Sequence, residues 1–131
     1  MDCGQVQDTY STAQAAMMTG ATLRQLQIWD ERGALRPSRR RVPRGGHGGD
    51  GMSRGYTERD IRLLFVMKRL RELHFHPRRI FLADISEASL AMRWLLFDER
   101  CNLIAASDDQ SKVLAIGAAA VGSVVLVEMP F

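Results

Sequence analysis

The 131 residues are 46% hydrophobic and 25% charged, the composition of a folded chain and too apolar for a disordered one. At this length one domain with a smaller appendage fits better than two full domains. No run approaches the roughly 18–20 apolar residues of a membrane span, and the first residues lack the basic-then-apolar order of a signal peptide, so a cytoplasmic chain without a membrane partner is expected.

Charge is unevenly placed. Residues 1–80 carry a net +7 and residues 81–131 a net −4. The first part should attract phosphate and the second should avoid it. Sixteen of the 18 basic residues are arginine, whose planar fork suits bidentate contact with phosphate or guanine, although a GC-rich genome produces the same bias. Cys3 and Cys101 have no CxxC spacing and no nearby histidine cluster, and are expected as reduced thiols.

Residues 1–9 are polar and without periodicity, and read as a flexible tail. Ser11 or Thr12 can cap a short helix over residues 13–18, stopped by Gly20. Thr22 can cap a second helix, residues 23–32, with Leu23, Leu26 and Trp29 or Asp30 at helical spacing and Gly33 at its end. Two short helices joined by a Thr-Gly turn make a helix-turn-helix, although any compact helix pair has this spacing. Residues 38–56 hold five arginines and six glycines with almost nothing to bury, which predicts a mobile loop, an arm that orders on a polyanion, or both.

Thr57 opens a third helix, with Asp60 where a capping box has Glu or Gln. Its apolar residues from Ile61 to Leu73 cover more than half the circumference, as in a central core helix. His74-Phe75-His76-Pro77 interrupts the pattern, and Pro77 fits the first turn of a fourth helix, residues 78–92, burying Ile80, Phe81, Ile85 and Ala88 or Leu90. Beyond it, residues 94–97 and 103–106 read as a β-hairpin. Asp108-Asp109 starts a helix or loop through Val113, Leu114 and Ile116, and residues 123–128 form a strand.

Several segments, in order, resemble the MerR family of transcriptional regulators. Tyr10-Ser11-Thr12 is similar to the family's start, Thr19-Gly20-Ala21-Thr22-Leu23-Arg24-Gln25-Leu26 to its turn and recognition helix, and Gly33-Ala34-Leu35-Arg36-Pro37 to the exit into the wing. Arg54-Gly55-Tyr56-Thr57-Glu58-Arg59-Asp60-Ile61 is similar to the wing's return and the next helix, and Leu70-Arg71-Glu72-Leu73-His74-Phe75 to that helix's end. The resemblance implies a winged helix-turn-helix of four helices plus wing over residues 10–92; with the ββαβ appendage that the residue pattern itself suggests at 93–131, an α+β chain is expected.

It also implies roles. Thr22, Arg24, Gln25 and Gln27 would enter the major groove, Arg24 taking guanine and Gln25 adenine edges. Trp29 would lie near the DNA backbone or pack in the core. Arg54 and Tyr56 would touch phosphate, Tyr56 equally well half-buried with its hydroxyl at the surface. Arg39, Arg40, Arg41 and Arg44 would make sequence-independent wing contacts. The partners implied are double-stranded DNA, a second copy and RNA polymerase.

Around His47 the wing is longer than the family's. Strands begin near Trp94 where the family has its long dimer helix, so a homodimer would use residues 93–131 through another surface. Neither the cysteines of the metal-sensing branch nor a large effector domain is present. His74 and His76, spaced i,i+2 without a third ligand, make a poor metal site. Residues 45–51 are no P-loop, and no catalytic set converges, so neither an enzyme nor a bound cofactor is expected. The rival reading is an architectural, excisionase-like DNA binder, or an adaptor recruiting a partner through the C-terminal sheet.

Overall fold

The computed structural model describes residues 9–35, 37, 39–41, 53–75 and 84–131. Residues 1–8 of the N-terminal tail, the Gly-rich stretch with Arg44 and His47, and the residues 76–83 with which the fourth helix is expected to begin lie outside the described residues. The elements are α1 (Thr12–Thr19), α2 (Leu23–Glu31), β1 (Arg39–Arg41), β2 (Ser53–Gly55), α3 (Glu58–Glu72), α4 (Glu87–Leu90), β3 (Trp94–Asp98), β4 (Leu103–Ser107), α5 (Gln110–Ala119) and β5 (Val124–Glu128). This is an α+β chain with a three-stranded antiparallel sheet in the order β4-β3-β5. It divides into two compact units, Met1–Ile61 and Arg62–Phe131, with the boundary inside α3.

In the first unit, three helix starts use one device. Ser11 caps α1 and Thr22 caps α2, each in a reciprocal box with the glutamine three residues on. At α3 the Thr57 hydroxyl accepts from the Asp60 N–H at 3.2 Å, while Asp60 Oδ2 accepts from the Thr57 N–H at 2.9 Å. Each box satisfies two backbone donors that a helix start leaves without partners. The residues before two of these caps are also joined: Tyr10 and Tyr56 exchange N–H···O bonds of 2.7 and 2.9 Å in an antiparallel bridge. Ala15, Leu26, Trp29, Leu35, Tyr56 and Ile61 form the buried interior of this unit.

Two helices end in the same hydrogen-bond pattern with different residues. After α2, Gly33 takes φ 71°, its N–H donating to Asp30 O and that of Ala34 to Trp29 O. After α3, His74 takes φ 68°, its N–H donating to Arg71 O and that of Phe75 to Leu70 O. Both are Schellman ends, in which the left-handed residue is ordinarily glycine because a Cβ crowds the following carbonyl.

In the second unit, β3 is the central strand, and Leu95, Leu96 and Phe97 are all buried. Register sets Leu95 beside Val127 and Phe97 beside Val125, while the intervening Leu96 meets α5. A Cβ on Gly117 of α5 would stand 3.2 Å from Leu96 Cδ2, so glycine permits the helix to approach this closely. The β3–β4 turn is held by Asp98, whose Oδ1 accepts from the N–H groups of Arg100 and Asn102 at 2.9 Å. Arg62 of α3 donates to Leu90 O at 3.1 Å, and the Phe65 and Phe131 rings meet edge-on at 5.7 Å. Asp109 caps α5, and the Ser111 hydroxyl and amide hold its carboxyl below the usual aspartate range. That cap is therefore intact above the ordinary range and is lost as acidification protonates the carboxylate.

The expected fourth helix requires correction. Ile85 and Ser86 are outside any helix, and Ser86 is extended at φ −70°, ψ 156°. Its hydroxyl accepts from the Ser89 N–H at 3.1 Å and starts a separate four-residue helix, so no continuous helix runs from residue 78 to 92. Serine's short polar side chain competes with helical continuation and favours a cap. Ile85 and Leu90 are buried as expected, whereas Ala88 is exposed.

The two helix ends give a paired prediction. Replacing His74 with Gly should raise stability by about 0.5–1 kcal/mol, the relief of a left-handed Cβ less the added chain entropy. Gly33→Ala should lower it by about 1–2 kcal/mol. Urea unfolding of both variants checks this, and a destabilised His74→Gly would contradict the assigned geometry.

Candidate nucleic-acid interface

The turn between α1 and α2 is built by a buried threonine. Thr19 Oγ1 donates to Ala15 O at 2.8 Å and accepts from the Ala21 N–H at 3.2 Å. Gly20 beside it takes φ 81°, and its N–H donates to Ala16 O at 2.8 Å. One hydroxyl therefore ties the last turn of α1 to the start of α2 and fixes where α2 begins.

Helix α2 has two distinct sides. Leu26, Trp29 and Asp30 are buried, whereas Leu23, Arg24, Gln27 and Glu31 are exposed. Gln27 Nε2 donates to Glu31 Oε2 at 3.0 Å across one turn, which leaves Arg24 as the solvent-facing cation of the N-terminal half. Thr22 and Gln25 belong first to the cap: Gln25 Oε1 accepts from the Thr22 N–H at 3.0 Å, and the Thr22 hydroxyl accepts from the Gln25 N–H at 3.0 Å.

The two aromatic candidates sit inside the unit. Trp29 is 5% exposed and Tyr56 fully buried, so the structure gives Trp29 the packing place among its two readings and leaves Tyr56 more enclosed than the half-buried alternative. Strands β1 and β2 pair antiparallel, with Arg39 opposite Gly55, Arg40 opposite Arg54 and Arg41 opposite Ser53. Arg44 lies outside the described residues.

One surface residue escaped the sequence reading. Leu23 was grouped with the apolar stripe of α2, yet it is 57% exposed beside Arg24. Its place at the first helical position, immediately after the Thr22 cap, carries it past the end of the core, and that position was the available signal. An exposed leucine there can meet a thymine methyl group, the apolar feature of the major groove. Among the described residues no cluster of His, Cys, Asp and Glu can hold a metal, and no helix is long and apolar enough to cross a membrane.

A capped second helix with a cation at its open end, tied by a buried threonine to the helix before it, defines a helix-turn-helix module. The family model for MerR helix-turn-helix regulatory proteins matches residues 10–81, more than half the chain, and the protein belongs to that family. Its domain is one of DNA binding in transcription regulation. No curated protein matches the chain.

Cap and contact roles can be separated. Thr22→Ala should cost about 1 kcal/mol of stability through loss of the cap. Gln25→Glu keeps an acceptor for the Thr22 N–H and should leave stability unchanged or higher, while its carboxylate lowers DNA affinity. Unfolding midpoints and binding titrations measure the two effects, and a Gln25→Glu protein as unstable as Thr22→Ala would contradict the reciprocal cap.

Proposed function

We propose that this protein is a sequence-specific regulator that binds double-stranded promoter DNA, inserting the N-terminal half of α2 into the major groove. The observation that carries this reading is the division of α2 into a buried side and an exposed side bearing Arg24, within a module whose family is defined. Arg24 reads guanine O6 and N7, Gln27 and Leu23 flank it, and Thr22 and Gln25 hold the helix start in place. Arg39, Arg40, Arg41 and Arg54, with Arg44 in the intervening segment, act as a wing on the phosphate backbone. Arg40 and Arg54 are opposite one another in the backbone register of this ribbon. Trp29 and Tyr56 serve from the interior by fixing α2 and the wing's return.

Residues 93–131 act as the self-association module, so that two helix-turn-helix units read a palindrome. Bound DNA is distorted to align promoter elements for RNA polymerase, and sequence-dependent deformability adds to specificity. A second reading has one observation behind it. β4 and β5 are the outer strands of the sheet, and an outer strand offers backbone donors and acceptors to a heterologous partner, as an adaptor would require.

Selection from random duplexes followed by titration tests the main reading. Arg24→Ala should cost about 1–3 kcal/mol and relax preference at one base. Uniform weakening over all sequences would contradict base readout. Removing Arg39, Arg40 and Arg41 together should weaken binding evenly and flatten its salt dependence by roughly one unit of slope per lost phosphate contact. A bending assay on the selected site should report distortion, and straight DNA in the complex would remove that part of the mechanism.

A further inference from the structure

The residues at the start of α2 are engaged in different ways. The Thr22 hydroxyl and Gln25 Oε1 each accept a backbone N–H across the cap at 3.0 Å. Leu23 is 57% exposed, and Arg24 is exposed beside it. One turn further on, Gln27 Nε2 donates to Glu31 Oε2 at 3.0 Å. The first turn therefore presents a fork of donors and a branched apolar group, while its hydrogen-bonding neighbours hold it in shape.

A single exposed leucine is ordinary on a protein surface, and the position of Leu23 is what gives it meaning. It is the first helical residue of α2. Helical side chains lean toward the N-terminus, so Leu23 has no earlier turn to lie over and projects past the end of the helix, the end that helix-turn-helix proteins turn to the base edges. Just before it, the Ala21 N–H is held by the Thr19 hydroxyl at 3.2 Å, and the reciprocal cap keeps the first turn from fraying. The apolar group is thus held at the open end of α2.

The major groove offers such a group one apolar counterpart, the C5-methyl of thymine, which 5-methylcytosine carries at the same place. Adjacent Cα atoms are about 3.8 Å apart and successive base pairs about 3.4 Å, so a leucine next to an arginine that holds guanine is matched to the neighbouring base pair. We infer that Leu23 is a specificity-determining residue that selects a C5-methyl group, on thymine or 5-methylcytosine, in the base pair adjacent to the guanine read by Arg24. This inference rests on the proposed reading of α2 as the recognition helix and names part of the sequence that helix takes. It also makes binding sensitive to cytosine methylation at that base pair.

Titration of the full chain on its selected duplex, with thymines replaced one at a time by deoxyuridine, tests the assignment, because each change removes one methyl group and keeps the base pair. One thymine, beside the guanine whose replacement has no effect on Arg24→Ala, should lose about three- to fivefold in affinity, the worth of one buried methyl. At the same position 5-methylcytosine should bind more tightly than cytosine by a similar factor. Leu23→Ala, an exposed change that keeps helix propensity, should bind the thymine and deoxyuridine duplexes equally. A selected site without thymine beside that guanine, deoxyuridine without effect there, 5-methylcytosine equal to cytosine, or a methyl preference that persists in Leu23→Ala would each overturn the assignment while leaving the guanine contact of Arg24 standing. Even weakening of all sequences by Arg24→Ala would overturn both. The modified duplexes decide the matter even if Leu23→Ala fails to fold.

Discussion

The bridge between Tyr10 and Tyr56 is the constraint on which the first unit depends. Each residue immediately precedes a helix cap, Tyr10 before Ser11 and Tyr56 before Thr57, and the two exchange both backbone hydrogen bonds. The entries of α1 and α3 are therefore fixed side by side. The bridge also anchors the end of β2, because Gly55 leads directly into Tyr56. Tyr56 is fully buried and Tyr10 half-buried, so a backbone bond left unmade on the Tyr56 side would be costly. The Thr19 hydroxyl then passes the constraint from α1 to α2, so that Arg24 is presented by a helix whose start is determined rather than frayed.

Local chemistry made much of this legible. The caps at Ser11, Thr22 and Thr57 and the stops at Gly20 and Gly33 depend on hydrogen bonds three or four residues long, and the sequence contains both partners. The hairpin was legible for the same reason, since Asp98 and the turn after it lie between two apolar runs. The Asp60 position was recognised as a box although aspartate is shorter than the usual glutamate, and the 2.9 Å bond to Thr57 shows that it reaches.

The failures have a different physical origin. The continuity expected for the fourth helix rested on apolar periodicity, which survives a break because Ile85 and Leu90 stay buried on either side of Ser86. Periodicity reports burial and is silent about backbone continuity. Trp29, Tyr56 and Leu23 were ambiguous because exposure depends on where the core ends, a property of the packed unit. The family resemblance supplied the candidate contact positions, and the structure divides them into an exposed group at Thr22, Arg24 and Gln27 and an interior pair at Trp29 and Tyr56. Gln25, half-buried, is held by the cap.

The charge asymmetry of the sequence accords with this division of labour. The basic part contains the helix-turn-helix and the arginine-bearing strands, and the acidic part contains the sheet and α5, where the net charge of −4 disfavours phosphate. The measurement that bears most directly on the central claim is an experimental structure of the protein on its selected duplex. It should show the first turn of α2 in the major groove, Arg24 within hydrogen-bond reach of a guanine edge, and phosphate beside Arg40 and Arg54. A duplex lying against another surface, with Arg24 in solvent, would contradict it.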